Sequence, residues 1–276
     1  FFNPIFAHTA GNPLLLRLAV GQLEQAEQVA PGALGLSVAH QLVTQVVEQI
    51  EPNARWLLDW LVVWQNVIDL TDPALAEWLG ARLLKSVQID TVRAAYEHSA
   101  SVEQLRRKRI IDHDNHAFLH PLLREPLLAA LNVQPTHRKV MHQLAAMWAE
   151  EQGDRIKAAH HFVSVGNLAR ACELLETRDE SSALSGQAKA QTHAATAVID
   201  EILAQLRRPS QNQAQGQTPE QTRDEAQTEM IRRMLALRGD LLINTLRATE
   251  ARANYRAAID LTVAPVARAH LAQRLA

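Results

Sequence analysis

The stretch VMHQLAAMWAEEQGDRIKAAHHFVSVGNLARACELL, Val140 to Leu175, reads as three successive helices. The first segment turns at Gly153 and the second at Gly166 and Asn167; LARACELL completes the third. Glycine and asparagine end helices because they tolerate the left-handed backbone that closes the last turn. Short helices joined by such turns predict a paired helical array from Thr136 onward.

The whole chain supports that reading. Its 276 residues suffice for two or three domains, and 47% apolar against 21% charged residues can form a core. Alanine and leucine dominate, which favours helix. A net charge of −2 gives no general attraction to nucleic acid or anionic lipid; such binding would need a local patch. Cys172 is the single cysteine, so no intrachain disulfide forms, and a reducing, cytoplasmic setting is expected. Unbroken apolar runs stay short, as in Trp60 to Trp64, where a membrane-spanning helix needs about 20 residues. No signal peptide is evident. The chain opens on Phe1 and stops at Ala276 within a helical pattern, which reads as part of a longer polypeptide.

Downstream of the opening stretch, residues 182 to 206 read as helix poor in large apolar groups. The Gln-rich run RRPSQNQAQGQTPEQ, 207 to 221, reads as a flexible loop because it has little to bury. Helix pairs resume from about Glu220. In that tail Gly239, Ala251, Tyr255 and Ala258 stand at offsets of 12, 4 and 3. Those are the spacings of the small, aromatic and small packing residues in the tetratricopeptide unit of about 34 residues. Arg238 stands where that unit usually has leucine, so the match is partial.

Upstream, residues 13 to 29 and about 37 to 50 read as helices, the first opened by Asn12 and Pro13. Pro52 opens another, with Trp56, Leu57, Trp60, Leu61 and Trp64 on one stripe; the tryptophans are read as core. TDPALAEWLG is predicted as a short helix capped by Asp72, begun by Pro73 and ended by Gly80. Asp90 and Ser101 are read as caps of two more. Then RIIDHDNHAFLH changes period: Ile110 and Ile111, a polar turn at 112 to 115, and alternation through Ala117 to Leu119 predict a small β-hairpin. Helices, hairpin and helix in that order are the plan of a winged-helix domain. NVQPT, 132 to 136, is a short hinge, and Pro126 is expected to kink or end the helix before it.

Three stretches, in order, resemble the STAND class of signal-transduction ATPases. TAGNPLLLRLA (Thr9 to Ala19) resembles their Gly-x-Pro segment. LRRKRIIDHDNHAFLHPLLREPL resembles the end of their NB-ARC-associated winged helix, and LAAMWAEEQGDRIKAAHHFVSVGNLARACELL the helical sensor of bacterial maltose-type activators. The resemblance covers residues 5 to 176 well and the tail loosely. It implies that Pro13 lies against the adenine of ADP and that His120 reaches the β-phosphate. Leu119 and Pro121 stand where the family motif has methionine and aspartate.

The chemistry at His120 can also be argued without the family. A helix starting at Pro121 turns its orphan N–H groups and positive dipole end toward residue 120, where an anion is favoured and an imidazole can donate to phosphate. The plainer alternative is a histidine that merely caps the helix. No Gly-x4-Gly-Lys-Ser/Thr run occurs, so this chain is not expected to hydrolyse ATP, or to hold ATP or ADP tightly by itself.

Other clusters carry less. Arg106, Arg107, Lys108 and Arg109 suggest a DNA-reading helix, but cations at a helix C-terminus also offset its dipole, and DNA is not the expected partner. His113, His116 and His120 have a metal-like spacing, yet alternate faces of a hairpin would keep them apart, so no metal site is expected. His160 and His161 are read as packing and surface residues, Cys172 as buried and inert, and SALSG (Ser182 to Gly186) as no nucleophile elbow.

The sequence therefore predicts an all-α chain with one small β-hairpin: lid helices at 1–50, a winged helix at 51–132 and tetratricopeptide-like repeats at 133–276. No catalytic residue is assigned. The expected partners are the nucleotide-binding domain of a parent protein, a ligand or protein on the repeats, and other copies in the active state. The alternatives are a winged-helix DNA-binding regulator and a plain repeat scaffold.

Overall fold

The computed structural model describes residues 49–64, 68–83, 91–108, 110–111, 121–177, 187–207 and 220–275. The chain is predominantly helical and divides into two compact units, Phe1–Met141 and His142–Ala276. The lid helices expected before residue 49, the hairpin turn and second strand (112–120), Asp90, SALSG and most of the Gln-rich run (208–219) lie outside the described residues.

The first unit contains α1 (Pro52–Trp64), α2 (Pro73–Leu83), α3 (Thr91–Arg107), α4 (Pro121–Asn132) and the start of α5 (Pro135–Glu151). Proline opens α1, α2, α4 and α5 because its missing N–H is one that a helix start leaves unbonded anyway. The α1 helix packs on α3 and α4, and α2 packs on α3. From Leu57 to Trp64 every residue of α1 is buried, so it is enclosed on all sides rather than along one stripe. Trp60 and Trp64 stack with ring centroids 5.4 Å apart.

Asp72 caps α2 as expected, accepting from Ala74 N at 2.9 Å. The turn before it is held by Asp69, which accepts from the Thr71 amide and hydroxyl, and by buried His98, whose Nε2–H donates to Leu70 O at 3.0 Å. At the far end of α3, Ile110 N bonds back to Leu105 O at 3.0 Å, and Ile110 and Ile111 are buried.

Three local expectations change, and the early helix end raised at Pro126 does not occur. Gly80 does not end α2: it is itself buried, and the helix runs through it to Leu83, with Trp78 and Leu79 holding the turn in the core. Ser101 is not a cap but a buried interior residue of the single helix α3, beside buried Val102 and Leu105. Trp56 is 37% exposed and not core. Pro126 does not terminate α4, which continues to Asn132 with Leu127 and Leu131 buried.

The second unit contains the rest of α5, α6 (Arg155–Val165), α7 (Leu168–Glu176), α8 (Gln187–Leu206), α9 (Glu220–Asn244), α10 (Ala248–Asp260) and α11 (Pro265–Leu275). Sequential packing dominates: α6 on α7, α8 on α9, α9 on α10, and α10 on α11, while α6 also meets α8 and α7 meets α9. The expected turns are present. Gly153 (φ 74°) closes α5 with an Asp154 N to Ala149 O bond of 2.8 Å, and Gly166 (φ 84°) closes α6 with Asn167 N to Phe162 O at 2.9 Å. Asp154 and Asn167 then cap the following helices, accepting from Lys157 N and Arg170 N.

The α9–α10 pair uses the same turn with a poorer residue. Leu246 takes φ 61°, and Arg247 N bonds to Leu242 O at 3.0 Å. Close approach of the two helices depends on Gly239. A Cβ there would lie 2.7 Å from Tyr255 Cε1. The Tyr255 ring cannot easily retreat: it is buried, and its hydroxyl donates to Asp240 Oδ1 at 2.6 Å. Asp240 also accepts from Arg274 of α11 at 2.9 and 2.7 Å, so one carboxylate joins three helices. Arg238 reaches α8 instead of entering the core, pairing with Asp200 at 2.6 Å.

Two outcomes are expected in urea unfolding. Gly239→Val should destabilise the second unit by about 1–3 kcal/mol through overpacking against Tyr255. Leu246→Gly should stabilise the same unit by up to about 1 kcal/mol, because the 94% exposed leucine gives up little burial and its left-handed backbone becomes unstrained.

Candidate functional site

Helix α1 carries one carboxylate in an otherwise apolar run, Asp59 within LLDWLVVW. It is 4% exposed, and a buried charge is stable only when paired and hydrogen-bonded. Both oxygens are used. Arg55, one turn earlier, donates Nε–H to Oδ1 at 3.0 Å, and His137 donates Nε2–H to Oδ2 at 3.0 Å. Exposed Trp56 meets the His137 ring edge-on, centroids 4.8 Å apart at 83°. Trp56 thus flanks an ion-pair cluster that fixes the first turn of α5 to α1. The cluster is equipped to hold an element in place.

The residues that carry the nucleotide expectation, Pro13 and His120, lie outside the described residues, as do His113, His116 and Arg109. What is described is the helix that follows His120: α4 begins at Pro121 and runs 12 residues. Among the described residues no group of three or more His, Cys, Asp or Glu is placed to hold a metal ion. No described helix is long and apolar enough to cross a membrane.

Of the basic run, Arg107 pairs with Glu103 at 2.9 Å, and Lys108 Nζ donates to Gln49 Oε1 at 3.0 Å. Half-buried Arg106 does not stand in solvent as a reading helix would present it.

In the second unit, α5 and α6 bring His142 and His161 together. Their Nδ1 atoms are 3.2 Å apart, and the residues are 4% and 1% exposed. His160, the neighbour on α6, faces Glu201 of α8 at 3.7 Å from the surface side. The division expected between a packing and a surface histidine therefore falls at His161 and His160 respectively. Cys172 is buried, and burial pushes its thiol up to about 11, so it stays protonated and unreactive at neutral pH.

Neither Asp59–His137 nor His142–His161 was singled out from the sequence. The first had a usable signal, since a lone acid in an apolar helix demands a partner. The second had none: two histidines 19 residues apart reveal nothing until the α5–α6 turn folds them together.

A double-mutant cycle tests the Asp59 cluster. His137→Ala and Asp59→Ala should each cost about 1–3 kcal/mol, since the first leaves a buried carboxylate oxygen short of a donor and the second leaves two half-buried donors short of their acceptor. The double mutant should cost less than their sum by about 1 kcal/mol or more in urea unfolding.

Compared with known proteins, the chain matches no family model, no curated protein and no solved structure.

Proposed function

We propose that this chain is the regulatory and sensor portion of a STAND-type nucleotide switch. In this reading residues 1–50 are lid helices, 51–132 a winged-helix domain and 133–276 a tetratricopeptide-like sensor. Pro13 and His120 contribute contacts to ADP held by the nucleotide-binding domain of the parent protein. The residues of this chain do no chemistry on the nucleotide.

One observation carries the reading: α4 starts at Pro121, immediately after His120. The start of a 12-residue helix offers orphan N–H groups and a positive dipole end, and both favour an anion such as a phosphate oxygen. The run of turned helix pairs after Gly153, with Gly239 seated under Tyr255, supports a repeat-type sensor. Such an array presents a long surface on which a ligand or partner binds. A partner that prefers the open arrangement shifts the population away from the ADP-bound state, by no more than its difference in affinity for the two.

The DNA-reading alternative has less support, because Arg107 and Lys108 are already engaged within their own unit. The intact protein provides the test. His120→Ala should raise basal output and speed loss of bound ADP. Unchanged ADP retention together with unchanged output would remove the switch reading and leave a plain repeat scaffold.

A further inference from the structure

We propose that the surface around Trp56 and His137 is a docking site for an acidic peptide segment that carries a large apolar side chain. The proposal stands apart from the nucleotide reading. It rests first on where apolar surface remains. Among the described residues of the first unit, the large hydrophobic side chains that stay exposed are Trp56 (37%), Val133 (81%) and Val140 (38%). All three belong to the two segments that meet where Trp56 touches His137. Val133 lies in the turn before α5, four residues ahead of His137. Val140 lies one helical turn beyond it, on the same face of α5. Apolar exposure that gathers at one place, rather than scattering, marks an interaction surface.

Trp56 is also held ready. Trp60 and Trp64 of the same helix are buried and stacked, whereas the Trp56 ring stands against the His137 ring at 83°. His137 is fixed in turn by Asp59 at 3.0 Å, and Asp59 by Arg55. A cluster that pins the neighbour of an exposed tryptophan removes part of the ordering cost that a partner would otherwise meet. Tryptophan is among the residues that carry most of the energy in protein contacts.

The surrounding charge selects the partner. Lys139 is exposed, and Arg138 stands beside it, directly after His137. The start of α5 adds the positive end of a 17-residue helix. Of the acids on the two segments, Asp59 is buried and already bonded, which leaves Glu51 exposed. A segment with carboxylates flanking a leucine- or phenylalanine-sized side chain meets cations at the rim and apolar groups at the centre. Nucleic acid is the poorer match. Arg55 is tied to Asp59, Arg107 to Glu103 and Lys108 to Gln49, so these cations are already engaged and do not extend the patch into a track for phosphates.

Selection from a phage-displayed library of random peptides on the full chain, followed by fluorescence anisotropy of the enriched peptides, tests this. The enriched peptides should be net acidic with a leucine, phenylalanine or tryptophan among the acids, and should bind more weakly as salt rises. Trp56→Ser should weaken them about tenfold or more, and Lys139→Glu about threefold or more. Val263→Asp, at an exposed position of the second unit, should leave binding unchanged. Lys139 is exposed, so Lys139→Glu gives an answer on its own if Trp56→Ser does not fold. Failure to enrich acidic peptides, undiminished binding by either folded variant, or an equal loss with Val263→Asp overturns the proposal. So does tighter binding of fluorescent oligothymidylate at this surface, or self-association of the chain that Trp56→Ser abolishes.

Discussion

The Tyr255 ring reaches the backbone of α9 only because residue 239 carries no side chain. That contact represents the constraint on which the second unit depends. Several of its helices are short, with α7 at nine residues and α6 and α11 at eleven. Isolated helices below about 12–15 residues are marginal in water, so these persist by closing onto neighbours. Each closure is a local device: a left-handed residue at 153, 166 or 246, a capping side chain at Asp154 or Asn167, and small residues where helices come closest. At the hub of the tail Asp240 turns contact into fixed geometry by bonding Tyr255 and Arg274 from two further helices.

Polar groups inside the units act by the same logic. Asp59, His98, His142 and His161 are buried, and each makes a hydrogen bond to a partner on another segment. Such groups add little net stability over apolar replacements, but they penalise any arrangement that separates the partners. Helix α5 carries His142, whose partner His161 lies on α6.

Much of the local architecture was legible in the sequence. Pro52, Pro73 and Pro121 mark helix starts, Gly153 and Gly166 mark ends, and the spacing from Gly239 to Ala258 picked out buried contacts of a real helix pair. Errors arose where a distant element decided the outcome. Gly80 and Ser101 carry the chemistry of helix ends, yet burial against other helices carries α2 and α3 through them. Periodicity along α1 put Trp56 with its fellow tryptophans, yet the other elements leave that position exposed, with only an edge-on contact to His137. Arg238 occupied a position expected to be apolar, and Asp200 on α8 explains it. For the candidate site, the legible part was the helix start at Pro121; the two histidine contacts depended on tertiary structure.

On the proposed reading, the residue ahead of α4 serves a nucleotide held by the rest of the protein. A structure of the intact protein with ADP tests it most directly. The claim predicts the His120 imidazole within hydrogen-bond distance, about 2.7–3.2 Å, of a β-phosphate oxygen. A His120 turned into the protein interior, with the phosphates bound by other residues alone, would contradict it.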